Sequence, residues 1–242
     1  MLSSTQSFRP GKPGYQQHPW QATLGVDAVV FTNHPGADDE VSRPNFWAGN
    51  GILPRVAQHQ NVAVIIHHLP PDDHFPFSHA YFPRAAFDEV IEQDGWVFAR
   101  KGDGYIALYS QHPARWLTDR HDDARPVNEL RADASTNVWL VEVGDAAQHG
   151  DFAAFVHAVA AASVSFADTS LAATVRYVSP TVGVVEFGWL KPLTVDDVEI
   201  DLHDYPRFDN PYCRADFGAR TYTIRHGEDT HVIDLAATAM TQ

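Results

Sequence analysis

Cysteine is almost absent from this chain, since Cys213 is the only one among 242 residues. A single cysteine excludes a disulfide within the chain and a zinc centre built from cysteine thiolates. Because free cysteine is usually buried, we expect Cys213 to be a half-buried small side chain.

Long apolar runs are also missing. No stretch reaches the roughly 20 residues that a membrane-spanning helix needs, and residues 1–17 lack the apolar segment of a secretory signal. The sequence therefore predicts no membrane partner and shows no targeting segment, and it leaves the localisation open.

Basic residues are few relative to acidic ones. Lysine and arginine total 17 against 31 aspartate and glutamate residues, which gives a net charge of −14. A chain with this excess of negative charge is not expected to bind nucleic acid or an anionic membrane surface. The same charge opposes long-range attraction of any polyanion.

Histidine, in contrast, is abundant. Of the 14 histidines, seven precede residue 80, namely His18, His34, His59, His67, His68, His74 and His79. This concentration indicates chemistry in the first third of the chain.

Alternation of apolar and polar residues dominates the sequence and predicts a mainly β fold, an antiparallel β-sandwich with two short helices. The stretch QATLGVDAVVFT places its apolar residues from Ala22 to Val30 on one face of one strand, and NVAVIIHHL predicts a strand covered on both faces. Hairpins are predicted around Gly102-Asp103-Gly104, Ser179-Pro180 and Gly227-Glu228-Asp229.

The two helices are predicted from apolar spacing. FPRAAFDEVIEQDG has Pro83 at its start and Gly95 at its end, and GDFAAFVHAVAAAS repeats apolar residues from Phe152 at helical spacing. Residues 1–14 are expected to be a disordered or loosely packed arm, and residues 15–242 a single sandwich domain. Residues 111–135, which are polar and charged, are expected to form a long surface excursion.

Four segments carry a resemblance to a known family: HPWQATLGVDAVVFTNHPG, WAGNGILPRVAQHQNVAVIIHHL, SHAYFPRAAFDEV and GDGYIALYS. Together they resemble the C-terminal β-sandwich (super-sandwich) region of heparinase II/III-like polysaccharide lyases, over nearly the whole chain from about Tyr15 to Leu235. In that family the sandwich follows an α-helical toroid, and the polysaccharide lies between them. The chain has no such toroid, so the resemblance implies part of a larger lyase or a relative without its first half.

The resemblance implies β-elimination at a uronic acid. A base removes the proton next to the carboxylate, an acid protonates the leaving glycosidic oxygen, and neutral or cationic donors hold the carboxylate as it becomes enolate-like. Neutralising this charge is expected to be the largest contribution, with positioned acid–base groups adding about 10²–10⁴-fold.

The resemblance also suggests site residues. His18, His79 and Tyr81 are the catalytic candidates, and His79 and Tyr81 are two residues apart, so a strand would place them on one face. The substrate-binding candidates are Trp20, Asn33, His34, Asn50 and Arg55. Each has a structural alternative as a core, turn or surface residue.

A divalent metal is a weaker possibility, and no metal site is predicted. His67 and His68 are adjacent and face opposite ways in a strand, and Asp72, Asp73 and His74 follow without the spacing of a known zinc motif. We expect no cofactor.

Two classes of function therefore stay open. The chain is either the sandwich portion of a lyase that cleaves acidic, uronate-containing polysaccharide, or a non-catalytic module that binds carbohydrate or packs on a partner. A separate helical toroid chain or a second copy of this chain is the partner expected in the latter case.

Overall fold

The computed structural model of the protein describes residues 1–4, 10–12, 18–36, 49–117, 128–169, 172–202 and 206–235. The chain forms two compact units, Met1–Ile200 and Asp201–Gln242. No helix among the described residues is long and apolar enough to cross a membrane.

The described elements are mainly β-strands. In chain order the strands are β1 (Leu2–Ser4), β2 (Trp20–Thr23), β3 (Val29–Asn33), β4 (Arg55–His59), β5 (Val62–His68), β6 (Ser78–Tyr81), β7 (Glu89–Gln93), β8 (Trp96–Lys101), β9 (Gly104–Ser110), β10 (Ala114–Trp116), β11 (Glu129–Ala132), β12 (Thr136–Asp145), β13 (Val164–Thr169), β14 (Ala172–Ser179), β15 (Gly183–Gly188), β16 (Thr194–Val195), β17 (Val198–Glu199), β18 (Phe208–Asp209), β19 (Cys213–Ala215), β20 (Thr221–His226) and β21 (Asp229–Asp234). The helices are α1 (Ala146–His149) and α2 (Phe152–Ala160), and Arg84–Ala86 forms a 3-10 turn.

These strands form four antiparallel sheets. Sheet I has the order β1-β2-β3-β6-β11-β10, sheet II has β4-β5-β12-β9-β8-β7, sheet III has β13-β14-β15-β16-β17, and sheet IV has β18-β19-β20-β21. The predicted fold class, mainly antiparallel β with two short helices, is confirmed.

Sheets I and II pack face to face because their alternating apolar residues share one core. Trp20, Val30 and Leu130 of sheet I meet Ile65 and Trp139 of sheet II there. Burying such side chains contributes about 1.5–3 kcal/mol each, so this layer is a major source of stability.

The opposite face of sheet II is also covered. Trp96 of β8 lies 5.9 Å from Tyr177 of sheet III, and Phe98 lies 6.2 Å from Phe155 of α2, both between ring centroids. The first unit is thus built in three layers, with sheet II in the middle. The predicted two-sided burial of β5 follows from this position, since six of its seven residues are buried in the pattern BBBBBBi.

Two features of the first 33 residues differ from the expectation. Leu2–Ser4 of the expected arm pairs with Trp20–Ala22 as an edge strand. The predicted single strand from Ala22 to Val30 is wrong, because Gly25 to Asp27 form a turn that folds β2 against β3. Val26, at the tip of this turn, is fully exposed.

The predicted helix from Pro83 to Gly95 is also wrong. After one 3-10 turn, the segment continues as β7 and pairs with β8 across Asp94 and Gly95, whose φ angles of 53° and 83° define a tight hairpin turn. A two-residue turn with both φ angles positive is the kind that strand pairing favours. The apolar spacing suited a helix, but pairing with β8 decides the structure.

The expected surface excursion at 111–135 contains two strands of sheet I, β10 and β11; residues 118–127 within it lie outside the described part of the chain. The hairpins predicted at Gly102, Ser179 and Gly227 are confirmed, as is the helix beginning at Phe152.

The second unit contains sheet IV. Its residue Cys213 is half-buried, as expected. Large apolar side chains are exposed in this unit, namely Phe208, Tyr212, Phe217, Ile224, Val232, Ile233 and Leu235. Such a surface is compatible with self-association, which stays a prediction.

Candidate functional site

The outer face of sheet I, the face turned away from sheet II, gathers polar side chains of the predicted site. Ala80, Leu130 and Ala132 point into the core between the sheets. Because side chains alternate along a strand, the residues between them point outward.

Strand pairing aligns these outward residues in a row. Asn33 of β3 is paired with His79 of β6, His79 with Arg131 of β11, and Arg131 with Arg115 of β10. We call Asn33, His79, Arg131 and Arg115 the polar row. Paired strands lie about 4.8 Å apart, so the row extends over about 14 Å between its end backbones.

A second set of aromatic side chains runs beside the polar row. The His18 ring lies 4.3 Å from the Phe31 ring, and Phe31 stacks on Tyr81 with centroids 5.2 Å apart and planes 13° from parallel. His18 is exposed, and Phe31 and Tyr81 are half-buried. An imidazole and a phenol therefore lie on the same face as the polar row.

Amide groups link His18 to the loop at Asn50. His18 Nδ1 lies 3.2 Å from Asn33 Nδ2, and Asn50 Nδ2 donates to Asn33 Oδ1 at 3.3 Å. His18 Nδ1 also lies 3.3 Å from Asn33 Oδ1. Asn33 therefore offers this ring nitrogen both a hydrogen-bond donor and an acceptor.

His79 is held by a buried carboxylate. Its Nδ1 lies 3.0 Å from Oε1 of Glu129, His79 has no exposed surface, and Glu129 is 2% exposed. A carboxylate on one ring nitrogen fixes the orientation and the tautomer of the imidazole. His79 is thus a rigid member of the row.

His34 has a structural role. Its Nε2 donates to Asp73 Oδ1 at 3.1 Å and to the Phe75 carbonyl at 3.0 Å, and its Nδ1 accepts from Ile52 N at 3.0 Å. Burial lowers the pKa of His34, against the opposing effects of the Asp73 charge and the Phe75 carbonyl. With both nitrogens engaged, neutral His34 joins two loops.

Trp20 lies in the core between sheets I and II, not on the outer face. It is 1% exposed, and its Nε1 donates to Thr32 Oγ1 at 2.8 Å. The structure therefore gives its ring no surface for stacking on a sugar.

Arg55 of β4 does not lie on the outer face of sheet I. Its pairing partner in β5 is Ile66, which points toward sheet III, so the Arg55 side chain points toward sheet III as well. Its Nη1 donates to the carbonyls of Trp189 and Lys191 at 2.8 and 2.9 Å, and its guanidinium lies 4.5 Å from the centre of the Phe187 ring. Arg55 thus joins sheets II and III and is not brought together with His18.

His67 and His68 face opposite sides of sheet II, as the strand pattern predicts. His67 contacts Thr32 Oγ1 of sheet I at 3.4 Å, whereas His68 lies 5.2 Å from the Trp189 ring. In the part of the chain that the structure describes, no group of three or more His, Cys, Asp or Glu side chains is placed to hold a metal ion.

Four outer-face residues were missed by the sequence analysis: Phe31, Arg115, Glu129 and Arg131. The stretch NELRADA alternates charged and apolar residues from Asn128 to Ala134, a strand signal obscured by the charged stretch around it. Recognising that β11 pairs with β6 requires the structure, because the two strands are far apart in sequence.

A separate cavity of about 410 Å³ lies at one end of the sheet I and sheet II sandwich. Its apolar floor includes Leu108, Leu130 and Trp139, and Glu92 and Gln111 are at its rim. None of the eight predicted site residues is among the described residues that line it.

The chain was compared with protein-family models, curated proteins and solved structures, and no match was found in any of the three. The family resemblance of the sequence segments consequently stays an expectation.

Proposed function

We propose that the protein is the β-sandwich portion of a polysaccharide lyase that cleaves uronate-containing polysaccharide by β-elimination at the outer face of sheet I. The observation that supports this proposal is the presence of His18, Asn33, His79 and Tyr81 on that one face. The resemblance of the sequence segments suggests the reaction, and the shared face supplies the side-chain types that it needs.

In this proposal Tyr81 is the base and His18 the acid. Tyr81, as its phenolate, accepts the proton from the carbon next to the uronate carboxylate and becomes the neutral phenol. The bond between the neighbouring carbon and the glycosidic oxygen breaks, and a carbon–carbon double bond forms. His18, as an imidazolium whose Nδ1–H is held by Asn33 Oδ1, donates its Nε2 proton to the leaving oxygen and becomes neutral imidazole. Asn33, which lies behind His18 and contacts its Nδ1, orients the imidazole for this proton transfer.

The burial of His79 favours a second candidate, a non-catalytic carbohydrate-binding module. Asn33 and His79 have no exposed surface, so a glycan on the outer face meets His18 and Tyr81 first. A binding module needs only these accessible side chains.

Incubation of the purified chain with a panel of uronate polysaccharides tests the first candidate. We expect near-ultraviolet absorbance from an unsaturated sugar product, and a loss of about 10²–10⁴-fold in rate for Tyr81→Phe and for His18→Gln, because each removes one proton-transfer group.

His157→Gln is the matched control, since His157 is exposed on α2, in the layer on the other side of sheet II. Its rate should equal that of the unchanged chain. If the folded chain, checked by circular dichroism, gives no product from any polymer but still binds one, the lyase proposal fails and the binding module remains.

A further inference from the structure

The cavity at the end of the sheet I and sheet II sandwich is a second candidate site, separate from the polar row. Its volume of about 410 Å³ is within the roughly 300–1,000 Å³ of pockets that hold small molecules. The described residues that line it include none of the eight predicted site residues. A ligand in this cavity would therefore contact different side chains from those of the proposed lyase.

The inner part of the cavity is apolar. Leu108, Leu130 and Trp139 form its floor, and the half-buried Tyr109 lines it as well. The Trp139 Nε1 group already donates to Ser78 Oγ at 2.8 Å, so this ring presents an apolar surface. The floor suits the apolar part of a ligand.

Gln111 supplies an enclosed acceptor that the protein leaves unused. Its Oε1 is buried, and no described residue donates a hydrogen bond to it. The neighbouring Ser110 differs, because its hydroxyl exchanges hydrogen bonds with Asn137 at 3.0 and 3.3 Å. A buried carbonyl oxygen without a donor costs free energy. A ligand that brings an N–H or O–H group to Gln111 would remove that cost.

Two carboxylates, Glu92 and Asp94, also line the cavity. Glu92 Oε1 accepts from Trp116 Nε1 at 2.8 Å and lies 3.6 Å from Arg84 Nη1, so its charge is partly compensated. Asp94 Oδ2 accepts from the Gln93 amide at 3.1 Å. The described lining residues include no lysine, arginine or histidine. The lining therefore favours a positive charge over a negative one.

We propose that this cavity binds a small amine, whose apolar body lies on the floor and whose ammonium group donates to Gln111 Oε1. An ammonium group has both N–H donors and a positive charge, so it satisfies the buried acceptor and suits the charge of Glu92 and Asp94. A carboxylate or phosphate ligand would bring only acceptors to Gln111 and a charge of the same sign as the two acids. The chemistry of the lining selects the cation.

Three probes that share one indole ring test the proposal. Tryptamine carries an ammonium group, tryptophol a hydroxyl group and indoleacetate a carboxylate. We expect tryptamine to bind most tightly. Tryptophol should bind about tenfold more weakly, because it keeps a donor but lacks the charge, and indoleacetate should bind more weakly still. Isothermal titration calorimetry of the purified chain at neutral pH measures the three affinities.

A first variant tests the hydrogen bond. Gln111→Leu removes the acceptor and should weaken tryptamine binding about tenfold, as expected for a hydrogen bond to a charged group. Because Oε1 has no donor among the described residues, the free energy of unfolding should not fall in this variant. A loss of affinity without a loss of stability then belongs to the ligand contact.

A second variant tests the charge. Asp94→Asn keeps the hairpin turn, because asparagine tolerates the positive φ of 53° at this position. It should weaken tryptamine binding about threefold and leave tryptophol binding unchanged. Asp103→Asn is the matched control, since Asp103 is an exposed aspartate in the turn at the other end of β8. Its affinity for tryptamine should equal that of the unchanged chain.

The outcomes separate this inference from the proposed lyase activity. Equal tryptamine affinity in Gln111→Leu and the unchanged chain overturns the proposal, as do tighter binding of indoleacetate and no binding of tryptamine. His18→Gln and Tyr81→Phe should leave the tryptamine affinity unchanged, and a loss in either variant would place the amine on the outer face of sheet I and not in the cavity. The presence or absence of an unsaturated sugar product does not alter these results.

Discussion

Glu142 is a carboxyl group buried between sheets II and III that is surrounded by hydroxyl groups. Tyr177 and Ser179 donate to its Oε2 at 2.5 and 3.0 Å, and Thr181 donates to its Oε1 at 2.8 Å. Burial raises the pKa of Glu142, and the three hydroxyl hydrogen bonds reduce this effect. The carboxylate form is therefore held at a cost in stability.

Glu142→Gln should make the protein at least as stable as the unchanged chain at pH 8. The folded-state pKa of Glu142 lies above its unfolded value, so this group adds stability at low pH that is lost as the pH rises through the folded-state pKa. A glutamine oxygen can accept from Tyr177 and Ser179 while its NH2 group donates to Thr181. Urea unfolding at several pH values measures the effect.

Tyr177→Phe is the contrasting variant. It removes a donor but leaves the buried carboxylate, and we expect the free energy of unfolding to fall by about 1–3 kcal/mol. A Glu142→Gln protein that is less stable than Tyr177→Phe would show that the carboxylate charge stabilises the interface between sheets II and III.

The hairpins of sheet II show how a turn fixes an element. The β7–β8 turn holds Gly95 at a φ of 83°, and the β8–β9 turn holds Gly102 at 57°. An added Cβ at Gly95 would lie 3.0 Å from Tyr109 Cε2, whereas at Gly102 it would have no neighbour within 4 Å. Substitution at these two glycines therefore separates the cost of backbone strain from the cost of steric crowding at the added Cβ.

Gly102→Ala should lower the free energy of unfolding by about 1–2 kcal/mol, because alanine is strained at positive φ. Gly95→Ala should cost about 1 kcal/mol more, since Tyr109 must also move. Chemical unfolding of both variants measures the difference. Equal losses would mean that Tyr109 moves aside at no cost.

The local sequence pattern was sufficient to predict most of the hairpins. Turn residues such as Gly102-Asp103 and Gly227-Glu228 mark hairpins because only a few residues accept positive φ. At β7 the apolar spacing around Val90 suited a helix, and only pairing with β8 made the segment a strand. Local sequence does not contain that information.

The candidate site was also predictable only within single strands. Two-residue spacing was enough to expect His79 and Tyr81 on one face. The neighbours Asn33, Glu129 and Arg131 depend on which strands pair, which is a long-range property. Arg55 illustrates the converse, since its direction follows from the register of β4 against β5 and not from the glycine-rich sequence around it.

At the larger scale, the packing of sheet I on sheet II in the first unit encloses His67. His67 has no exposed surface, and no described residue hydrogen-bonds its Nδ1. Burial holds the pKa of His67 well below its ordinary value of 6.5, and the nearby His34 and His79 lower it further. Protonation of His67 would place a charge between sheets I and II.

We therefore expect the protein to lose stability as the pH falls below about 6.5. His67 binds a proton in the unfolded chain but not in the folded chain. The free energy of unfolding therefore falls by up to about 1.4 kcal/mol per pH unit for this group. His34, whose pKa is also lowered, acts in the same direction. Urea unfolding between pH 5 and 8 measures the slope.

His67→Gln should reduce that slope by about one proton, whatever its effect on stability at pH 8. The exposed His157 is again the control, because replacing it with glutamine should leave the slope unchanged. A slope that is the same in His67→Gln and the unchanged chain would assign the acid sensitivity to other groups.

The polar row has a consequence for how the protein acquires its site. Asn33 and Arg115 belong to strands that are separated by some eighty residues of chain, and the strand between Arg115 and His79 is formed still later in the sequence. No nascent fragment that ends before β11 can hold the row in register. The four side chains come together only once β3, β6, β11 and β10 are paired, so ligand binding at the row would report the assembly of these four strands of sheet I.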